Sequence, residues 1–151
     1  MKVRDIMTKN PESVTPGTYI GDVARLMRDL DVGIVPIVTN GGELIGVITD
    51  RDITIRVTAA GLNPFETSVQ DFMSPNVVTV SPDDDVDKVR QLMADHQIRR
   101  VMVVEGGRLV GVVSLGDVAT KDQTKDAATG QVLEEISEPT DLNRTSVKTE
   151  E

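Results

Sequence analysis

The sequence predicts a mixed α/β (α+β) fold of two β-α-β-β-α repeats, packed sheet to sheet with pseudo-twofold symmetry. Three observations predict it. The chain repeats itself, strand-like and helical segments follow in the same order in both copies, and each copy is small for a core of its own. Of the 151 residues 38% are hydrophobic and only 2% aromatic, so aliphatic side chains and methionine must fill the core.

The two copies align over most of their length. Residues 3–8 match residues 69–74 at an offset of 66 residues, and one extra residue near Asn40 then changes the offset to 65. At the new offset residues 46–52 match residues 111–117. We interpret this pattern as an internal duplication.

A short strand and a helix open each copy. The strands are predicted at residues 13–14 and 77–80, and Thr15-Pro16 and Ser81-Pro82 then supply a hydroxyl N-cap followed by proline, which is typical of a helix start. Asp83, Asp84 and Asp85 would lie in the first turn of the second such helix, where acidic side chains favour the helix dipole. Apolar residues at three- and four-residue spacing predict one buried stripe on each helix: Ile20, Val23, Leu26, Met27 and Leu30, then Val86, Val89, Leu92 and Met93.

A hairpin and a second helix complete each copy. Apolar runs at residues 34–38 and 101–104 lead into Asn40-Gly41-Gly42 and Gly106-Gly107, and glycine's tolerance of positive φ favours turns there. Helices are predicted at about residues 51–60 and from Asp117 onward.

The strand-to-helix junction bears a repeated motif, Gly-x-x-Thr/Ser-x-x-Asp. It contains Thr49 and Asp52 in the first copy and Ser114 and Asp117 in the second. Free amides and the positive end of a helix dipole at such a junction favour an anion such as phosphate. The same residues also fit a capping box, in which the two side chains satisfy only the helix's own first turn. The sequence leaves both interpretations open.

Composition argues against several classes of function. A formal net charge of −9 argues against general nucleic-acid binding. No apolar stretch reaches membrane-spanning length and no signal-peptide core follows Met1, so we expect a soluble, cytoplasmic protein without membrane association. Without cysteine, with His96 as the single histidine, and without a nucleophile–base pair, the sequence predicts no enzyme, no metal and no required cofactor.

Along the chain we assign repeat 1 to residues 1–62, repeat 2 to residues 63–120, and a polar C-terminal segment to residues 121–151. Val132, Leu133 and Ile136 predict one short amphipathic helix in that segment. Residues 140–151 have little to bury, and we expect them to be mobile or to order against a partner.

Several motifs are typical of one family. They are Asp5-x-Met7 and Asp71-x-Met73, the Val-x-Pro helix entries, the two Gly-x-x-Thr/Ser-x-x-Asp turns, and the segments 49–53 and 96–101. On these motifs the chain resembles a tandem pair of CBS (cystathionine-β-synthase) domains, or Bateman module, over about residues 3–120. Within the family it is similar to the stand-alone bacterial pairs of the hypoxic response protein type.

The resemblance implies that AMP or another adenosine nucleotide binds between the repeats of a homodimer, and that an unidentified protein target responds to the bound state. Asp52 and Asp117 would accept hydrogen bonds from ribose hydroxyls, with Thr49 and Ser114 near ribose and phosphate. The segments implied to enclose the adenine contain Thr8, Thr15, Gly33, Ile34, Pro36, Ser74, Asn76, Val78, Arg99, Arg100 and Met102.

The copies differ in charge. Arg99 and Arg100 stand where the first copy has uncharged residues, so only one site gains cations for phosphate, unless these arginines form surface ion pairs. Asp50 adds negative charge beside the first motif and disfavours a polyphosphate unless Arg51 offsets it. The main hypothesis is a regulatory adenine-nucleotide sensor without catalysis, and the alternative is a ligand-independent dimeric interaction or structural protein.

Overall fold

The computed structural model describes residues 1–121. Its strands and helices, in chain order, are β1 (Thr8–Lys9), α1 (Ile20–Leu30), β2 (Ile34–Val38), β3 (Leu44–Thr49), α2 (Asp50–Asp52), β4 (Thr79–Val80), α3 (Val86–His96), β5 (Arg100–Glu105), β6 (Arg108–Ser114) and α4 (Leu115–Lys121). Helix α2 continues as a π-helix over Ile53–Thr58, and 3₁₀ turns cover Val3–Asp5 and Val69–Asp71. The predicted β-α-β-β-α order is confirmed, but the strand predicted at residues 13–14 is wrong, because Val14 forms only an isolated bridge with Ile37 and the strand that opens the first repeat is β1. The helix predicted around Val132–Ile136 lies outside the described residues, as does the tail.

Two hairpins form the sheets. Strands β2 and β3 pair antiparallel as one sheet, and β5 and β6 pair antiparallel at the centre of a four-stranded sheet of order β1-β6-β5-β4. Gly42, Gly106 and Gly107 have φ angles of 86°, 60° and 80°, so the predicted glycine turns are confirmed.

The leading segment of each repeat crosses to the other repeat. Strand β1 pairs with β6, placing Thr8 opposite Val112, and Ser74 bridges to Val47 in return. An ion pair between Arg4 and Asp83 also links the first crossing segment to the second repeat. The hydrogen bond that Arg4 donates lowers the pKa of the Asp83 carboxyl. The boundary between residues 62 and 63 therefore divides the repeats along the sequence. In the folded structure, the leading segment of each repeat packs against the other repeat.

The motif glycines make room for the crossing. A β-carbon on Gly46 would lie 2.8 Å from the carbonyl oxygen of Ser74, and one on Gly111 would lie 2.7 Å from the sulfur of Met7. Both distances are shorter than van der Waals contact. Glycine at these positions thus allows the exchanged segment to lie directly on the strand.

Each half has its own aliphatic core, completed by the crossing segment. Val69 packs in the first core, and Val3 and Ile6, which are 0% and 1% exposed, pack in the second. The first core otherwise contains Ile20, Val23, Met27, Val35, Ile37, Ile48 and Val57. The second contains Val80, Val86, Val89, Met93, Val101, Val103, Val113, Leu115 and Val118.

The helix starts predicted at Thr15-Pro16 and Ser81-Pro82 are wrong by several residues. Helices α1 and α3 begin at Ile20 and Val86. Each Pro segment instead forms a turn, closed in the first repeat by the Thr18 amide donating to the Thr15 carbonyl. Proline favours the second position of such a turn as strongly as the first turn of a helix, so the local pattern fits both.

Candidate functional site

The first motif forms a capping box at the start of α2. The Thr49 amide donates to Asp52 Oδ2 at 3.0 Å, and the Asp52 amide donates to Thr49 Oγ1 at 3.2 Å. The Thr49 hydroxyl also donates to Asp52 Oδ2, at 2.9 Å. The two bonds to the carboxylate both end on Oδ2, and within residues 1–121 Oδ1 of Asp52 accepts no hydrogen bond.

The second motif forms the same capping-box hydrogen bonds, and its carboxylate makes a further contact. The Ser114 amide donates to Asp117 Oδ2 at 2.9 Å, and the Asp117 amide donates to Ser114 Oγ at 3.1 Å. Lys121 Nζ then lies 3.3 Å from Asp117 Oδ1 and donates to the Ile6 carbonyl at 3.2 Å. Both oxygens of Asp117 are therefore engaged, whereas Asp52 has one oxygen available.

A cleft of about 390 Å³ opens beside the first motif. Thr49 and Asp52 lie in one wall of the cleft. The opposite wall is formed by residues 76–78, which follow the bridge between Ser74 and Val47, and by the start of β5. The volume is within the range of small-molecule sites. The lining residues are Gly33, Ile34, Val47, Thr49, Asp52, Ser74, Asn76, Val77, Val78, Ile98, Arg99, Arg100 and Met102.

Most of the predicted binding residues meet in this cleft. The structure brings together Gly33, Ile34, Thr49, Asp52, Ser74, Asn76, Val78, Arg99, Arg100 and Met102. Sequence reasoning missed Val47 and Ile98, whereas Val77 lies between the predicted residues Asn76 and Val78. The sequence could have indicated Val47, because it lies two residues before Thr49 on β3 and the two side chains therefore share one face of the strand.

Five predicted residues lie elsewhere. Thr8 is exposed on β1, and Thr15 is exposed with its Oγ1 3.4 Å from Thr18 Oγ1. Pro36 lines a separate hollow, and Ser114 borders a surface depression with Arg99 and Arg100. The fifth, Asp117, is held by the Lys121 contact described above.

Within residues 1–121 the second copy has no single cleft of this kind. Some of the positions that correspond to the cleft walls, such as Pro11, Glu12 and Pro36, line a hollow of about 80 Å³, whereas Arg99 and Ser114 line a surface depression. Glu12 stands there where the first cleft has Val78, because the repeat offset at this point is 66 residues. The depression beside Ser114 is separate from this hollow and measures about 450 Å³. The two copies of the motif are thus alike in hydrogen bonding and different in the space beside them.

The open cleft combines an apolar interior with polar groups at its edge. Its aliphatic walls contain no aromatic ring, and the backbone amides of residues 76–78 donate no hydrogen bond to other described residues. Arg99 and Arg100 form no ion pair within residues 1–121. The cleft therefore offers an apolar slot, free amide donors, two cations and one carboxylate oxygen.

Comparison with known proteins identifies the family. The family model described as CBS domain matches residues 3–58 and again residues 69–123. The chain belongs to the CBS domain family. The two matches correspond to the two repeats, so the chain contains a tandem CBS pair, as the motifs predicted.

Relatives of this CBS pair extend over nearly the whole chain. The CBS domain-containing protein YhcV of Bacillus subtilis is 41% identical over 135 residues, which are 89% of this chain and 94% of YhcV. The crystal structure of Hypoxic Response Protein I, with two coordinated zinc ions, is 33% identical with a TM-score of 0.72, and the match covers 79% of this chain and 97% of that one. The CBS domain pair of protein MJ0100, in complex with 5-methylthioadenosine and S-adenosyl-L-methionine, is 29% identical with a TM-score of 0.70, covering 83% and 98% of the two chains.

The described part of the CBS pair contains neither a metal-binding cluster nor a membrane-spanning helix. Among residues 1–121, no group of three or more histidine, aspartate or glutamate side chains is arranged to hold a metal ion. In the same part of the chain, every helix is too short or too polar to cross a bilayer.

Proposed function

We propose that this CBS pair is a regulatory module that binds an adenosine-containing ligand, such as AMP, in the cleft beside Thr49 and Asp52 and catalyses no reaction. The observation that supports it best is the cleft itself, which combines in about 390 Å³ a carboxylate oxygen, an aliphatic slot and two arginines that form no ion pair within residues 1–121. The complex of the MJ0100 pair with two adenosine derivatives supports the same class of ligand.

The ribose would bind to Asp52. A carboxylate accepts hydrogen bonds from both hydroxyls of a diol, and charge-assisted bonds of this kind are stronger than neutral ones. Oδ1 of Asp52 accepts no other bond from the described residues, while Oδ2 is fixed by the Thr49 amide at 3.0 Å. The capping box therefore orients the carboxylate without occupying it fully.

The adenine would fill the aliphatic slot. Val78 and Met102 supply apolar surface from the second repeat and Ile34 supplies it from the first. The free amides of residues 76–78 could donate to ring nitrogens of the base, because they make no other hydrogen bond within residues 1–121. An adenine site of this kind needs no aromatic stacking, which suits a chain with one tyrosine and two phenylalanines.

A phosphate would lie near Arg99 and Arg100. Guanidinium groups match phosphate oxygens in geometry and charge, and these two have no competing carboxylate among the described residues. The ligand would then touch both repeats, Thr49 and Asp52 on one side and the arginines on the other. Binding would favour one relative arrangement of the repeats, which a protein target could distinguish from the unliganded one.

We assign one ligand to each chain. Near the second motif, Lys121 engages Asp117 at 3.3 Å, and the corresponding positions are divided between a hollow of about 80 Å³ and a surface depression that Asp117 does not line. The volume of the hollow is below the range of small-molecule sites. The homodimer, the protein target and the cytoplasmic location remain predictions.

The alternative is a ligand-independent interaction protein, and one observation favours it. Both motifs form capping boxes, so each aspartate already has a structural role. On this alternative the cleft would be a gap between repeats, and no adenosine compound would stabilise the fold.

A thermal-shift panel distinguishes the two functions. We expect adenosine and AMP at millimolar concentration to raise the melting temperature by several degrees, because a ligand at 100 times its Kd stabilises the native state by about 2.7 kcal/mol. GMP and inorganic phosphate serve as controls for the base and for the anion. No shift with any adenosine compound would favour the interaction protein.

A further inference from the structure

An acidic side chain lies at the rim of the cleft. Asp50 is the first residue of α2, and its amide donates to the carbonyl of Gly33 at 2.9 Å. A β-carbon on Gly33 would lie 3.1 Å from Asp50 Oδ2, and Gly33 lines the cleft. The carboxylate of Asp50 is thus in contact with the cleft wall.

No cation of the described chain neutralises this carboxylate. Asp50 Oδ1 accepts a hydrogen bond from the backbone amide of Arg51 at 2.8 Å, and within residues 1–121 Asp50 forms no ion pair with any guanidinium or ammonium group. Arg51 therefore contacts Asp50 through its backbone amide and not through its guanidinium. Asp52, Arg99 and Arg100 line the cleft, and Asp50 lies against Gly33 in its wall.

The carboxylate is not needed for the local backbone. Leu115 occupies the corresponding position of the second repeat, and its amide donates to the Arg99 carbonyl at 2.8 Å, the same bond that Asp50 makes to Gly33. A residue without charge therefore supports the same helix start. The charge of Asp50 is therefore not required for this helix start, although it lies in the first turn of α2, where a carboxylate favours the helix dipole.

We propose that Asp50 limits the number of phosphates on the ligand, so that the cleft prefers adenosine compounds with no phosphate or one over the diphosphate and triphosphate. This inference rests on the proposed function and names the ligand class of the same cleft. Arg99 and Arg100 can balance a single phosphate monoester, which bears nearly two negative charges at neutral pH. Each further phosphate adds negative charge at a rim where Asp50 repels it, and such repulsion grows with every unit of charge.

The test is a charge series on Asp50→Asn. Adenosine, AMP, ADP and ATP are titrated calorimetrically into the wild-type chain and into the variant, in buffer with a chelator so that no divalent cation neutralises the phosphates. Asp29→Asn is the matched control, because Asp29 is an exposed carboxylate on α1 that does not line the cleft and its loss changes the net charge equally.

We expect the wild-type chain to bind AMP about tenfold more tightly than ATP. In Asp50→Asn the Kd of adenosine should change less than about twofold, that of AMP should fall slightly, and that of ATP should fall about fivefold or more. Asp29→Asn should leave all four values within about twofold, since exposed charges at a distance are screened by salt.

Other outcomes overturn the inference in distinguishable ways. Equal gains for all four ligands, a wild-type preference for ATP, or the same gains in Asp29→Asn would each show that Asp50 does not select by phosphate number, while the adenosine site itself would stand. Absence of binding by every ligand, adenosine included, would overturn the proposed function and this inference together.

Discussion

Replacing Asp52 with alanine is expected to abolish the rise in melting temperature that AMP produces in the wild-type chain. The variant loses the carboxylate oxygen that would accept the ribose hydroxyls, and a charged hydrogen-bonding group that contacts a ligand contributes enough to remove measurable binding at millimolar AMP. The unliganded variant should also lose about 1 kcal/mol of stability, because the Thr49 amide and hydroxyl lose their acceptor. Thermal unfolding with and without AMP measures both effects.

Asp117→Ala is the matched control. It breaks the same capping box in the second repeat and so should cost a similar amount of stability without ligand. The AMP-induced shift should survive, since Asp117 lies outside the open cleft and is engaged by Lys121. If AMP raised the melting temperature of Asp52→Ala but not that of Asp117→Ala, the ligand would bind beside the second motif, contrary to the proposed site.

Ile6→Ala is expected to lower the free energy of unfolding by about 3 kcal/mol. Ile6 belongs to the first repeat in sequence, but its side chain is 1% exposed and packs in the core of the second. The substitution removes buried apolar surface and leaves a cavity between the crossing segment and that core. Urea denaturation measures the loss. Ile55→Ala, at a side chain that is 46% exposed, should change stability by less than about 0.5 kcal/mol.

Hydrogen exchange shows which half the crossing segment supports. In Ile6→Ala, protection should fall in β6 and α3, because β1 pairs with β6 and Ile6 packs in the core that contains α3. The β2–β3 hairpin should keep its protection. Faster exchange confined to β2 and β3 would contradict the crossed arrangement.

Much of the fold could be predicted from local sequence. The apolar stripe of α1 and the glycines at residues 41–42 and 106–107 specify helix and hairpin through side-chain spacing and backbone freedom, which act over a few residues. The cap at Thr49–Asp52 is equally local. The cleft residues from Gly33 to Met102 were predicted because the family resemblance supplied positions that no short-range pattern contains.

The crossing could not be predicted. Val3 and Val69 have the same local environment in sequence, and the duplication does not say whether each packs with its own repeat or with the other. The helix starts were predicted wrongly for a related reason. Hydrogen bonds to the crossing segment hold the Thr15-Pro16 turn, and one of them runs from the Val69 amide to the Thr18 carbonyl.

The asymmetry of the two sites was only partly visible in the sequence. The extra arginines at residues 99 and 100 were recognised, but the difference in space depends on long-range contacts. Lys121 reaches both Asp117 and the Ile6 carbonyl, a pairing across more than a hundred residues. Glu12 matches Val78 in the alignment, yet only the packed structure relates that change to a hollow of about 80 Å³.

Calorimetric titration of AMP into the wild-type chain measures whether the CBS pair binds the nucleotide and how many molecules each chain holds. Because the chain has one tyrosine and no tryptophan, its concentration is best fixed by amino-acid analysis before the binding ratio is calculated. We predict saturation at one AMP per chain, bound in the cleft beside Thr49 and Asp52. Saturation at two per chain, or no heat of binding together with no thermal shift, would contradict the account.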